Sequence, residues 1–487
     1  MKNIDVFVLF VLIRLLSVVI VQTCFVPDEY WQSLEVAHKL AFNYGYLTWE
    51  WVLGIRSYVQ PLIISFVYKI LQFCYADNAL VLIYVPRILQ ALLSAYADYC
   101  FYKWCGAKKW AIFTISTAWM WFYVGSRTLI NSLETALTVI ALSKFPWNTK
   151  SFNESNFLWI VATLCVIRPT AVIHWFPLCI YYIVITGEKL LSIVFRKFIP
   201  IGVVTLAAST IVDSYAHGSI VVTSYEFLKA NVLNNVGEWY GTHPWYWYLT
   251  SGLPAVLGIQ IIPFVVITLH ILKHRHEYQH DLALLGCIVF TLFVYSCLKH
   301  KEFRFILPLL PMVLKITSSH IARWSYKAAP LTIWFVTAII LLGNIVPALY
   351  LSLIHQRGTL DVMHPLRLIA EKNPHSANFL FLMPCHSTPF YSYLHINVTA
   401  RFLTCEPNLQ NKKNYIYEAD DFYNNPNLWL KHNYPRNGTF PTHIIVYDNL
   451  AVYLSNILSM YKPIKKIFHT HFPRERKGKY IYIYQLA

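Results

Sequence analysis

The sequence predicts a mostly α-helical polytopic membrane protein with a small α/β domain at its carboxyl end. Three observations predict it. Hydrophobic residues make up 56% of the 487 and charged residues only 13%, a balance too apolar for a soluble chain of this size. Long apolar runs recur from Val6 to Ile354. Beyond His355 the chain turns polar, with tight turns and short β-rich stretches.

Eleven runs account for the first part: Val6–Cys24, Leu80–Trp104, Trp110–Val124, Leu129–Phe145, Phe157–Ile167, Val172–Ile185, Phe198–Val212, Leu253–Leu272, Leu282–Leu298, Phe305–Ile316 and Leu331–Ile354. Several are shorter than the usual twenty or so residues, so about eleven transmembrane helices is the natural count. The first run has no small-residue cleavage site and reads as a retained anchor. The division expected is a membrane-embedded domain over 1–354, with luminal loops at 25–79 and 213–251, and a luminal domain over 355–487.

A formal net charge of +16 raises the question of nucleic acid, but the basic residues lie mainly between apolar runs and report topology instead. With the amino terminus cytosolic, Lys103/Lys108/Lys109, Lys189/Arg196/Lys197, Lys273/His274/Arg275 and Arg323/Lys327 all fall on the cytosolic side. That arrangement needs the semi-apolar stretch Val59–Tyr75 to lie at the membrane surface rather than cross.

Immediately after the first run comes Pro27-Asp28-Glu29. Charge beside hydrocarbon is costly, so two acids at the mouth of a span suggest use. The competing explanation is helix capping, with Pro27 at the first helical position and the acids favouring the positive end of the dipole.

Two later loops are unusual. Asp213–Ser251 carries Trp239, Tyr240, His243 and Trp245 among other aromatics, either an interfacial belt or a groove for sugar or isoprenoid. In Lys299-His300-Lys301-Glu302-Phe303-Arg304, four basic groups fall within six residues on the outer side. Cations there suit an anionic partner such as phosphate, or a loop in which Glu302 offsets its neighbours. Arg127 is a further cation on that side, and the buried cations Arg14 and Arg168 should have carboxylate partners, with Glu134 and Asp213 as candidates.

In the tail, Phe379–Met383, His443–Tyr447 and Tyr480–Gln485 read as strands. Asn397 and Asn437 head glycosylation sequons, while Asn153 heads a third on the cytosolic side that should stay unmodified. Cys385 and Cys405 share the tail and are a possible disulfide in an oxidising lumen. No metal-ligand spacing appears among the ten cysteines.

An acid that acts as base, cations that hold phosphate and aromatics that hold sugar or lipid are the equipment for glycosyl transfer from a lipid phosphate. The run Phe25-Val26-Pro27-Asp28-Glu29-Tyr30-Trp31-Gln32-Ser33-Leu34-Glu35-Val36-Ala37-His38, with Phe42-Asn43-Tyr44-Gly45-Tyr46-Leu47-Thr48-Trp49-Glu50-Trp51 and His300-Lys301-Glu302-Phe303-Arg304-Phe305, resembles the dolichol-phosphate-mannose-dependent α-mannosyltransferases of the multispanning GT-C superfamily. The lysine-glutamate-arginine motif marks only that broad family. Met383-Pro384-Cys385-His386-Ser387-Thr388-Pro389-Phe390-Tyr391 and Cys405-Glu406-Pro407-Asn408-Leu409 resemble its GPI-anchor branch.

The resemblance implies a GT-C fold and a multi-pass endoplasmic reticulum enzyme with site and tail in the lumen. It implies inverting α-1,2 transfer of mannose from dolichol-phosphate mannose to the second mannose of a GPI lipid precursor, without metal or other cofactor. Its partners would be the donor, that precursor and ER membrane lipids, with no nucleic acid. Asp28 would be the base and Glu29 the second acid, an assignment that two adjacent carboxylates leave open to exchange. His300, Lys301 and Arg304, with Arg127 added, would hold the donor phosphate, Glu302 would orient them, and Trp239, Tyr240, His243 and Trp245 would contact sugar or lipid. Family members often carry a histidine just before the acidic pair; Phe25-Val26 stand here instead. The alternatives are a related mannosyltransferase acting on the dolichol-linked N-glycan precursor or on a later GPI mannose, and, in another class, a lipid transporter.

Overall fold

The computed structural model describes residues 3–147, 155–409, 412–435 and 439–487. Among them, seven helices are long and apolar enough to cross a membrane: Asn3–Ile20, Ala79–Cys105, Leu190–His217, Tyr248–Lys273, Gln279–Cys297, Phe303–Ser325 and the stretch Pro330–Lys372. The other four apolar runs fold into shorter pieces, Lys108–Thr117 with Trp119–Val124, Ile130–Lys144, Asn156–Ile167 and Ala171–Thr186. The run at 110–124 breaks at Ala118, whose backbone is extended. Another break falls at Gly258, whose φ is +55° and where a Cβ would stand 2.9 Å from the Trp119 ring, so only glycine fits. Val59–Phe73 is a helix of 15 residues. At 1.5 Å per residue it reaches about 22 Å, short of the hydrocarbon thickness.

The chain forms two compact units. The first comprises residues up to Val19, Glu50–Gln60 and Arg87–Ala348; the second comprises Ile20–Trp49, Pro61–Pro86 and Leu349–Ala487.

In the first unit, Ala171–Thr186 packs on Gln279–Cys297, Ile130–Lys144 on Asn156–Ile167, and Leu310–Ser325 on Lys108–Thr117. The span Phe303–Ser325 is its centre, 78% buried against 11% for Leu190–His217. Two buried ion pairs lie within this unit. Arg14 Nε lies 2.6 Å from Asp98, both 1% exposed, and Arg168 lies 2.7 Å from Glu134. Asp213, a candidate partner for a cation, instead accepts hydrogen bonds from the Tyr58 amide and the hydroxyls of Ser57, Ser209 and Thr223. Its work is to tie the 50–60 segment to the end of the Ile199–His217 helix.

The second unit is built on a five-stranded sheet of order β2-β1-β3-β5-β4, with β1 Asn378–Leu382, β2 Thr399–Phe402, β3 His443–Tyr447, β4 Tyr461–Phe468 and β5 Tyr480–Leu486. β1 runs parallel to β2 and β3, while β5 is antiparallel to β3 and β4. The three strands legible in sequence are the three inner ones: β1 and β3 are buried almost throughout, and β5 buries Ile481 and Ile483. The two edges carry less signal: β2 is four residues long, and β4 holds three lysines and Pro463 beside a register shift. Lysine, proline and irregularity are the usual devices that keep an edge from pairing further.

One face of this sheet does not close on itself. Phe379, Phe381, Ile445 and Ile483 share a single apolar core with Tyr30, Trp31, Leu34, Ala37 and Ala41 of the first loop and with Tyr68 of Val59–Phe73. The opposite face packs on Phe422, Trp429, Leu450 and Leu454. The chain that follows the first span is also strapped to the start of the tail: Gln22 N donates to Ser352 O, the Thr23 hydroxyl to Leu351 O and Cys24 N to Gln356 O. Cys385 and Cys405 are joined by a disulfide. Asn397 is exposed, whereas Asn437 and Asn153 lie outside the described residues.

Candidate active site

Asp28 and Glu29 form the first turn of a helix that runs from 28 to 42. The Pro27 carbonyl accepts from the amides of Tyr30 (2.9 Å) and Trp31 (3.1 Å), a π-helical turn occupies Tyr30–Leu34, and regular α-helix follows over Glu35–Phe42. Carboxylates at a helix start are favoured by the dipole, so the capping contribution is present. Glu29 is buried and Asp28 half-buried. A π turn widens the helix by one residue and re-aims the side chains around it, a distortion frequent at functional sites.

Trp31, Glu35 and His38 lie four and three residues apart, one stripe of this helix, and each meets the tail. The Trp31 ring is 4.7 Å from His386 and 4.8 Å from Phe402, and its Nε1 donates to Thr388 O at 3.0 Å. Glu35 is fully buried and accepts from the Phe390 amide at 2.7 Å and from the amide and hydroxyl of Ser392. His38 Nε2 lies 3.0 Å from His395 Nδ1.

These groups give the second unit a pH dependence. Burial, with the charge of His395 adding, holds His38 down at about 3, and burial holds His469 in the tail at about 3 as well. Burial pushes Glu35 up to about 7 against the hydrogen bonds from Ser392 and Phe390. An unfolded chain takes up protons on its histidines below about pH 6.5 while the folded one does not, so their contribution is full above that pH and is lost as pH falls. Glu35 works oppositely: the folded state keeps its proton to about 7, and stability is lost as pH rises through the window above the unfolded value. The two histidines together outweigh it. The expected result is a net loss of about 1–3 kcal/mol per pH unit between pH 6.5 and 4.5. Thermal unfolding of the detergent-solubilised protein should give a lower midpoint at pH 5 than at pH 7; an equal or higher one would contradict these burials.

In the first unit, the cationic loop and the aromatic loop are one structure. Glu302 accepts from His300 Nε2 at 3.1 Å and from Arg304 through Nε (2.7 Å) and Nη2 (2.5 Å). Burial pushes the Glu302 carboxyl up, but Arg304 and His300 outweigh it and hold it well below the usual carboxylate range, while Glu302 in turn raises His300 against the effect of burial. His300 Nδ1 contacts Gly241 O at 2.8 Å, the His243 amide donates to Lys299 O at 2.9 Å, and Lys299 pairs with Glu238 at 3.1 Å. Lys301 is buried and donates to the carbonyls of His243 and Leu298. A Cβ on Gly237 would stand 3.3 Å from that of His300, which keeps the loops close.

The loops therefore bring together His300, Lys301 and Arg304 with Trp239, Tyr240, His243 and Trp245. Trp239, Tyr240 and Trp245 are exposed, Trp245 at 68%, and His243 stacks on Trp247 at 4.7 Å. Arg127 is buried, donating through Nε to Tyr123 O at 3.0 Å with its guanidinium 4.3 Å from the Tyr123 ring. Four residues on, Asn131 donates to Arg304 O at 3.1 Å, which fixes the start of Ile130–Lys144 to the segment bearing Arg304. Asp28 and Glu29 belong to the second unit and the cations and aromatics to the first.

Sequence reasoning left out Glu35 and His386 as site neighbours. Both stand inside the two runs that carry the family resemblance, but only folding shows that those runs meet. Cys385, His386 and Cys405 bring their sulfur and nitrogen atoms within 4.8 Å, and the disulfide takes both sulfurs.

Comparison with known proteins places the chain. A family profile described as the Alg9-like mannosyltransferase family matches residues 5–395. The chain is 49% identical over 481 residues to GPI mannosyltransferase 3 of Drosophila melanogaster, covering 97% of this chain and 85% of that protein. It is 41% identical over 498 residues to GPI alpha-1,2-mannosyltransferase 3 of Homo sapiens, covering 99% and 87%. Among solved structures, ArnT from Cupriavidus metallidurans bound to undecaprenyl phosphate superposes with a TM-score of 0.62 at 12% identity, over 99% of this chain and 98% of that one. The Archaeoglobus fulgidus oligosaccharyltransferase does so with a TM-score of 0.53 at 12% identity, over 99% and 74%. These two share the fold, of the GT-C type that the sequence motifs imply. A profile match over most of the chain and identities above 40% along nearly all of it make this chain a member of the Alg9-like mannosyltransferase family.

Proposed function

We propose that this mannosyltransferase moves mannose from dolichol-phosphate mannose, in α-1,2 linkage and with inversion, onto the second mannose of a GPI-anchor precursor at the luminal side of the endoplasmic reticulum. What carries the reading is similarity along nearly the whole chain to relatives whose names specify GPI, the human one also specifying the α-1,2 linkage. The undecaprenyl phosphate bound by ArnT, which shares this fold, fits a polyprenyl-phosphate donor.

In one displacement, the acceptor 2-hydroxyl oxygen attacks the anomeric carbon as the bond from that carbon to the donor phosphate breaks. Asp28 takes the hydroxyl proton, with Glu29 as the second acid, and the products are the extended glycolipid and dolichol phosphate. Positive charge from His300, Lys301, Arg304 and Arg127 stabilises the leaving phosphate. Glu302 holds His300 and Arg304 in fixed orientation, which lowers the cost of aiming them. The exposed aromatics Trp239, Tyr240 and Trp245, with His243, offer faces to sugar and lipid.

Transfer by the purified protein from dolichol-phosphate mannose to a two-mannose GPI acceptor, with analysis of the new linkage, tests this directly. A cell lacking the protein should accumulate the two-mannose GPI lipid; a truncated dolichol-linked oligosaccharide instead would sink the reading in favour of the N-glycan pathway. Arg304→Ala should raise the donor KM or lower kcat/KM for donor by about 10–100-fold, the worth of a charged hydrogen bond, with acceptor KM little changed. An unchanged donor dependence would remove Arg304 from the phosphate site.

A further inference from the structure

His386 is a half-buried imidazole that the reaction scheme leaves unused. It follows Cys385, which the disulfide ties to Cys405 with a Cα–Cα distance of 6.0 Å, and its Nδ1 lies 3.9 Å from the Cys405 sulfur. Its backbone is left-handed, with φ at +59°, a conformation that a residue other than glycine keeps only where its surroundings impose it. The ring packs against Trp31 at 4.7 Å and Phe402 at 5.5 Å. Trp31 stands three residues after Asp28 on the same helix, so the two side chains share a face up to the shift the π turn adds. The contacts of Thr388, Phe390, Ser392 and His395 with that helix continue the grip along its length.

We propose that His386 is a positioning residue for Asp28: the disulfide and the Trp31 ring hold its imidazole edge beside the carboxylate, fixing the direction in which Asp28 faces the acceptor hydroxyl. The electrostatics agree with that placement. The Asp28 charge acts on the His386 ring, raising its affinity for a proton, while burial acts the other way and keeps the ring neutral, at about 4. A neutral imidazole has one N–H to donate and so can orient a carboxylate without cancelling its charge. The inference rests on the reading of Asp28 as base.

The test compares His386→Phe, which keeps a ring against Trp31 and Phe402 but has no polar edge, with His386→Gln, which keeps a polar edge and loses the ring. Both are made in the full chain, beside Asp28→Asn, and assayed with dolichol-phosphate mannose and a two-mannose GPI acceptor. If His386 positions Asp28, H386F loses about 10–100-fold in kcat, with both KM values and the unfolding midpoint close to those of the unaltered protein, and H386Q recovers most of the rate. The D28N/H386F double variant is then no slower than D28N alone. Full activity in H386F, or losses in both variants that follow a lowered midpoint, overturns the proposal. Inactive D28N with fully active H386F removes only His386, whereas near-normal D28N removes the base assignment itself.

Discussion

Asp28→Asn should lower mannosyl transfer by about 100- to 10,000-fold, the usual range for loss of a general base, while the protein still folds and inserts. Asparagine matches aspartate in shape, so the turn over Pro27, in which the Pro27 carbonyl accepts from Tyr30 and Trp31, is kept. What it loses is the capacity to take a proton. The change also separates the two explanations of the acidic pair. If Asp28 only favours the helix start, its charge is worth about 0.3–1 kcal/mol of stability and nothing in rate. The measurement is turnover of purified protein with saturating donor and acceptor, beside an unfolding midpoint; near-normal turnover rejects the base. Glu29→Gln in parallel shows which of the two acids carries the proton, since Glu29 is the more buried.

The second large effect lies in the membrane unit. Asp98→Ala should destabilise the protein by about 3–5 kcal/mol, because it leaves the Arg14 guanidinium buried without its counter-charge. The site is closely built. Trp121 donates through Nε1 to the other Asp98 oxygen at 2.7 Å, Arg14 Nη1 donates to Trp121 O at 2.9 Å, and the guanidinium lies 5.0 Å from the Trp121 ring. Gly125 leaves room for it, since a Cβ there would come within 3.0 Å of Arg14 Nη1. A double change, Arg14→Met with Asp98→Leu, removes both charges and should recover most of the loss. Detergent-solubilised unfolding midpoints check both; a single variant as stable as the unaltered chain would show that water or lipid headgroups reach the pair.

The helices and inner strands were readable because their signal is local. Apolar runs mark helices, β1 and β3 are buried apolar runs bounded by turn residues, and β5 alternates buried isoleucines with half-buried tyrosines. What escaped was long-range. Arg14 called for a carboxylate, yet nothing in the sequence distinguishes Asp98 from Glu134 or Asp213, since the partner is chosen by how helices pack. The π turn at Tyr30–Leu34 has no compositional mark. Strand β4, rich in lysine and broken by Pro463, looks like a loop because an edge strand avoids the very features that identify a strand. At the candidate site the cations and aromatics were legible as two clusters, but their union depends on bonds between His300 and Gly241 and between Lys301 and His243 that cross 59 and 58 residues of chain. Glu35 and His386 read as ordinary members of a motif until the fold sets them against each other's segments.

The strap between Gln22–Cys24 and Leu351–Gln356, and the core that the sheet shares with the first loop, bear on how this protein can be recombined. The tail's sequence boundary near His355 invites exchange between relatives as a cassette. Such a chimera would graft a foreign sheet onto a native first-loop helix, and Trp31, Glu35 and His38 would have to find new counterparts at Phe402, Ser392 and His395. The transferable module is discontinuous: residues 20–49 and 61–86 travel with 349–487, and substitutions that accumulate in one piece over evolution must be answered in the others.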